Sequence, residues 1–251
     1  MTGLSSTEDA GRVNREEKTM GMNGNAFLAI WHDIEEGAHA EYVEWHTREH
    51  MPERLSIPGF RTGKRLHAPD ASRYVFGTVY SGETLETFRS PDYLERLNNP
   101  TPWTTAVAPS FRNFLRVACE RIAEAGHGDG GSMATIRFDL SGDDGETRLR
   151  SEAQALANEM LAVRGVSCVH IGVSRNEVSS VRTKETELRA EMNETVFDVV
   201  VLVEGSSSAG LQAALPEVQR LAIESSILQA PVTDIYETAF SLTSEDMRSA
   251  P

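Results

Sequence analysis

The chain is expected to fold as an α+β protein in which two tandem ferredoxin-like repeats close one barrel. Three observations lead there. Apolar patterning runs β-α-β-β-α-β over residues 25–125 and runs the same way again over 132–243. Gly126 to Gly131 (GHGDGG), a linker by composition, separates the two runs. Each unit covers one face of its sheet with helices and leaves an apolar face open, and packing the two open faces together closes a barrel.

Residues 1–24 are rich in Gly, Ser, Thr, Asn and charge without apolar periodicity, and are expected to be a disordered tail. Ala26 to Ile34 (AFLAIWHDI) is apolar on both alternating faces, as in a buried strand. Glu35 to Met51 reads as a helix, with Ala38, Tyr42, Trp45 and Glu49 on one stripe and His46 and His50 along its edge. Pro52 disfavours α geometry at Met51, so the helix ends or restarts there. Ile57-Pro58-Gly59 is a turn, followed by strands near Phe60 to His67 and Arg73 to Tyr80. Thr84 to Leu97 is helical with a break at Pro91, Asn98 to Pro109 a polar loop, and Phe111 to Ala123 a strand.

In the second unit, Met133 to Leu140 is a strand, Glu146 to Val163 an Ala/Leu-rich helix and Val166 to Val173 a strand. Ser174 to Met192 reads as a polar, charged connection. Thr195 to Glu204, Ala209 to Ser226 and Val232 to Leu242 follow as strand, helix and strand, before a polar tail at 244–251.

The 251 residues are 39% hydrophobic and 25% charged, ordinary for a soluble globular protein with a sizeable core. A formal net charge of −14 argues against phosphate-rich partners, so no nucleic acid and no membrane partner are expected. No apolar run reaches the roughly 20 residues of a membrane span, and the N-terminus lacks an apolar signal core, which leads to a cytoplasmic expectation. Cys119 and Cys168 form no CxxC and read as buried thiols on strands.

Glu44 to Arg54 (EWHTREHMPER) concentrates the chemistry. His39, His46 and His50 lie at helical spacings of seven and four, on one stripe. Imidazole exchanges protons near neutral pH and ligates metals. His32 ends the first strand and His67 the second, beside Arg61 and Arg65 on the same alternating face. A proton-transfer site built from His46, His50, His32 and His67 is therefore expected, with Arg61 or Arg65 holding an oxyanion or carboxylate. Tyr42, Trp45 and Trp31 would form an aromatic wall for a small-molecule substrate.

No cofactor is required by that reading. The alternative is a divalent metal on His46 and His50, with His32, His39 or Glu53 as third ligand. A non-catalytic ligand-binding barrel is a further alternative, favoured for the second unit, where His170 sits within a strand and the repeat looks degenerate.

The stretch Tyr42 to Leu55, followed by Ile57-Pro58-Gly59-Phe60, resembles the EthD-like members of the dimeric α/β-barrel superfamily. In those proteins a strand leads to a helix ending in a His-x-Pro element, here His50-Met51-Pro52. A Pro-Gly-Phe turn, here Pro58-Gly59-Phe60, then enters the second strand. The match covers about residues 26–122; the second half shares only the order of elements and lacks a His-x-Pro. The resemblance implies an intrachain dimeric α/β-barrel with a small organic ligand between sheet and helices; a homodimer is a separate expectation. Members of the superfamily include cofactor-free monooxygenases, lactone isomerases, cyclases and dehalogenating enzymes, and some bind haem, so the reaction stays open. Isomerase, lyase, cyclase or hydrolase chemistry on a small carbonyl or aromatic compound is expected.

Overall fold

In the computed structural model, residues 21–68, 70, 73–179, 181–189 and 195–248 are described. Eight antiparallel strands close a barrel in the order β1-β3-β2-β8-β5-β7-β6-β4. The first four are β1 (Ala26–Ile34), β2 (Phe60–His67), β3 (Phe76–Gly82) and β4 (Phe111–Gly126). The second four are β5 (Ser132–Leu140), β6 (Cys168–Ser174), β7 (Val199–Gly205) and β8 (Leu228–Thr243). Each half is a four-stranded antiparallel sheet, and the seams are β2 against β8 and β6 against β4. The repeat is thus visible as the same strand order on both sides of a pseudo-twofold. The two sheets do not merely stack; their edges hydrogen-bond, which leaves no open sheet edge.

Strand alternation sends one set of side chains into the barrel and the other towards the helices. The barrel interior holds Phe27, Ala29, Trp31, Leu66, Val79, Val117, Val200, Leu202 and Tyr236, all buried. It also buries Lys64, whose ammonium meets both carboxylate oxygens of Glu204 at 2.8 and 2.7 Å. The helical layer over the second half is wholly apolar: Ile136, Phe138, Val169, Ile171, Val201 and Val203 meet Leu149, Ala153, Leu156, Met160, Leu211 and Val218. Each of these Val, Leu, Ile, Phe and Met side chains contributes about 1.5–3 kcal/mol by leaving water.

The long helix of the first half runs over residues 39–55 in three pieces. His39–Trp45 is α-helical, His46–His50 forms one π-helical turn, and Met51–Leu55 is α-helical again. Pro52 explains the middle piece. It has no N–H for the Arg48 carbonyl four residues back, and widening the turn relieves the missing bond. Met51 still adopts right-handed helical angles and its N–H reaches the His46 carbonyl five residues back. The helix therefore restarts rather than ends. Gly59 then turns the chain into β2 at φ +92°, a conformation costly for any residue with a Cβ.

Four expectations change. The loop at 98–109 contains a helix, Pro102–Val107, capped by Thr101, whose hydroxyl accepts the Thr104 N–H at 2.9 Å. The connection at 174–192 contains two short helices, Asn176–Ser179 and Lys184–Glu187, the second with a Thr183–Thr186 capping box. The tail at 244–251 begins as a helix, Ser244–Arg248, that packs on β2; residues 249–251 lie outside the described residues. The tail at 1–24 does not reach its far end, because Met22 is buried and its carbonyl accepts from Arg121 at 2.7 Å. Residues 1–20 lie outside the described residues. Among the described residues no helix is long and apolar enough to cross a membrane.

Candidate active site

Between the first half's sheet and its long helix lies a cavity of about 30 Å³, room for a water-sized group. His32 and Ile30 reach it from β1, Thr78 and Tyr80 from β3, Phe111 and Phe114 from β4, and Trp45, His46 and His50 from the helix. The register explains the strand set: Ile30 pairs with Thr78 and His32 with Phe76, so alternate residues of two adjacent strands share the helical face. Gly63 on β2 leaves the Tyr80 ring its place, since a Cβ there would meet that ring at 2.9 Å.

The tenth lining residue comes from the other half. Arg189 follows the short helix Lys184–Glu187, and its guanidinium lies 4.0 Å from the centre of the Phe114 ring. Glu185 holds it at 2.7 Å and also pairs with Arg54, whose second bond is to Glu53 at 2.7 Å. Arg54, Glu185 and Arg189 are all buried or nearly so. Two guanidiniums, Arg54 and Arg189, are thus matched by two carboxylates, Glu185 and Glu53, with Glu185 shared between them.

Several polar atoms around this cavity have no protein partner: Nδ1 of His46, Nδ1 of His50, the Tyr80 hydroxyl, and Nε and Nη1 of Arg189. Leaving a buried donor or acceptor unpaired costs about 1–3 kcal/mol each. Their convergence on one cavity marks a place built for a polar guest.

The imidazoles are held neutral. Burial, followed by the charges of His50 and Arg65, keeps His46 well below the ordinary imidazole range. Burial, then Arg54 and Arg189, does the same to His50. His32 is lowered to about 3, chiefly by burial, with its bond to the Asp33 carbonyl opposing. Its Nε2 lies 3.1 Å from the Tyr42 hydroxyl. Burial also raises the Tyr80 phenol well above its ordinary value, so it stays protonated and able to donate.

The rings are fixed from behind. Trp45 lies over His50 with centroids 4.2 Å apart, and its Nε1 donates to Thr104 Oγ1 at 3.2 Å. Thr101 and Thr104 both donate to Glu49, at 2.5 and 3.3 Å. His46 and His50 have centroids 5.6 Å apart.

The structure brings His32, His46, His50 and Trp45 to one cavity, with Tyr42 bonded to His32. It does not bring the other expected residues there. Trp31 faces the barrel interior, donating to Thr135 Oγ1 at 2.9 Å, because neighbours on a strand point to opposite faces and His32 takes the helical side. Arg61 is exposed at the sheet end and pairs with Glu83. Arg65 and His67 lie on the far side of Phe76, in a separate pocket. Arg189, Tyr80, Thr78, Phe111 and Phe114 were missed. The strand residues were recoverable from alternation once β1 and β3 were paired. Arg189 carries no local signal, sitting among the charged residues of a polar segment.

The same register shows why the second half lacks a site. Ala26 pairs with Gly82 as Ser132 pairs with Gly205, so His32, Thr78 and Tyr80 correspond to Phe138, Val201 and Val203. Among the described residues no three His, Cys, Asp or Glu side chains are grouped to hold an ion.

No protein-family model matches the sequence, and no curated protein matches it. Solved structures do match the fold. An anthrone oxidase-like protein superposes with a TM-score of 0.60 at 11% identity, covering 87% of this chain and 92% of that one. A candidate monooxygenase from Fusobacterium nucleatum gives 0.55 at 7% identity, over 88% and 96%. Another from Lactobacillus acidophilus gives 0.52 at 11%, over 87% and 98%. At such identities the likeness is one of architecture: the chain is an α+β dimeric α/β-barrel made from tandem ferredoxin-like repeats.

Proposed function

We propose that the chain is a small-molecule enzyme of EthD-like type that removes a proton from a small carbonyl or phenolic compound without a cofactor. The observation that carries this is the convergence of unpartnered buried groups on one cavity: two neutral imidazole nitrogens, one phenol and two N–H groups of Arg189. The cavity as it stands has room for one substrate oxygen, so the helix over it must shift outward to admit the rest of the molecule; that oxygen would accept from Arg189 and Tyr80. His46 or His50 would take the proton from the adjacent carbon or hydroxyl through Nδ1, leaving an imidazolium beside an enolate or phenolate.

Charge balance favours that step. A buried imidazole near two guanidiniums is a poor base alone, but the proton arrives together with a new anion, so the net charge of the site does not change. Isomerisation, elimination or cyclisation can follow from the same intermediate, whereas hydrolysis would have the imidazole take its proton from an attacking water instead. Oxygenation is the second reading, since three structural neighbours are described as an anthrone oxidase-like protein and candidate monooxygenases. A deprotonated aromatic ketone is a reasonable species to meet dioxygen.

Deuterium wash-in at the activated carbon of anthrone and related aromatic ketones, followed by NMR under nitrogen, tests the first step. Catalysed exchange is expected, falling by roughly 10²–10⁴-fold in His50→Ala or His46→Ala. Exchange at the buffer rate throughout, or exchange untouched by both substitutions, would remove the reading. Product formation only under air would select oxygenation.

A further inference from the structure

A second, larger pocket of about 520 Å³ opens on the other side of Phe76, between the outer side of the long helix and the β2–β8 seam. It is a wide-mouthed pocket whose volume lies in the range of small-molecule sites. Phe76 forms the floor. His67 stacks on that ring at 5.0 Å between centroids, and His39 meets it edge-on at 5.4 Å. Val43 and Ala239 supply aliphatic walls from the helix and from β8.

Arg65 is the polar end of this pocket. Its Nη1 donates to the Val43 carbonyl at 3.2 Å and to Thr47 Oγ1 at 2.7 Å, and its guanidinium lies 5.5 Å from the centre of the Phe240 ring. These contacts fix the fork without neutralising it. Among the described residues no carboxylate lies within ion-pair distance of Arg65. Glu44 also lines the pocket, but its carboxylate is drawn off by Arg48 at 2.5 Å.

We infer that this pocket binds a flat aromatic anion, a ring system carrying a carboxylate, phenolate or sulfonate, with the ring against Phe76 and His67 and the anion on Arg65. Rings face rings, and the one charged group at the end of an apolar slot is a fixed, uncompensated guanidinium suited to a planar oxyanion. The site is distinct from the histidine cavity: Phe76 stands between them, touching His32 on one side at 5.6 Å and His67 on the other. Binding here does not depend on the chemistry proposed for His46 and His50.

Fluorescence titration with anilinonaphthalene sulfonate, alongside its uncharged parent phenylnaphthylamine, tests this on the full chain. The sulfonate is expected to bind one per chain and about tenfold or more tighter than the neutral parent, the worth of one charge-assisted hydrogen bond. Arg65→Gln should abolish that preference while the neutral parent still binds. Ala239→Trp, at an exposed strand position, should fill the slot and weaken both probes at least tenfold. His50→Ala, in the other cavity, should change neither. Absence of saturable binding to the wild-type chain, or binding indifferent to Ala239→Trp, overturns the site. A probe preference that survives Arg65→Gln overturns the anion assignment, and loss in His50→Ala would place the probe in the histidine cavity instead.

Discussion

Burial keeps His32, His46 and His50 neutral, and His170 in the barrel interior is likewise lowered to about 3. Each has a folded pKa below its unfolded value near 6.5, so the unfolded chain binds more protons in acid. Stability is therefore complete above about pH 6.5 and is lost as pH falls below it, by roughly 1.4 kcal/mol per pH unit for each histidine that stays neutral. Melting temperatures are expected to drop steeply between pH 6.5 and 5; a level profile would show that these imidazoles titrate in the folded protein. Elemental analysis is expected to find no stoichiometric transition metal, with exchange activity unaffected by chelator. One ion per chain, with activity lost on its removal and restored on its return, would move His46 and His50 to a metal role. At this scale the sequence was partly legible. The spacing of His46 and His50 announces their shared face, whereas Trp31 and His32, as neighbours on one strand, must point to opposite sides of the sheet.

The helix of residues 39–55 carries the next scale. Its π turn spans His46–His50 because Pro52 cannot donate to Arg48, and that turn sets the two rings side by side. Pro52→Ala restores the donor and lets the α-helical register continue. The variant is expected to melt at the same temperature or higher, by up to about 1 kcal/mol of added stability, while proton exchange slows at least tenfold. Calorimetry and the deuterium assay on one preparation check both halves of that statement. An unchanged rate would mean that the π turn has no part in placing the rings. Pro52 was read as a boundary from the sequence, but whether a helix ends or re-registers there depends on packing, here Met51 and Leu55 against the core. The helix at Pro102–Val107 was hidden for a similar reason: its residues are weak helix formers, and Thr101 and the docking of Val107 decide the matter.

On the scale of the whole molecule, the repeated strand order was legible because two sheets with open apolar faces have few ways to bury them. The barrel closes within one chain, and its halves have diverged: where β1 and β3 carry His32, Thr78 and Tyr80, the corresponding places on β5 and β7 carry Phe138, Val201 and Val203. What the repeat could not reveal is that the second half still reaches into the first half's site. Glu185 and Arg189 lie in a segment with no periodicity, and only the folded chain places them beside Arg54 and His50. Glu185→Gln leaves the buried Arg189 guanidinium without its carboxylate and Arg54 with Glu53 alone, and is expected to cost about 3–5 kcal/mol, read from denaturant unfolding. Although burial pushes the Glu185 carboxyl up, Arg54 and Arg189 hold it below its ordinary value. Its contribution is therefore present above about pH 4.5 and lost as pH falls below that.

On the mechanism proposed above, a cavity assembled from both halves deprotonates the substrate, with Arg189 receiving the oxyanion. Arg189→Gln tests it most directly, because that residue belongs to the half with no histidine chemistry of its own. The measurement is the rate of deuterium wash-in to an aromatic ketone at saturation, on variant protein shown to be folded by circular dichroism. A fall of roughly 10²–10³-fold is expected, the usual loss on removing an oxyanion donor. A folded Arg189→Gln protein that exchanges at the wild-type rate would show that Arg189 does not receive the oxyanion and that the second half takes no part in the chemistry.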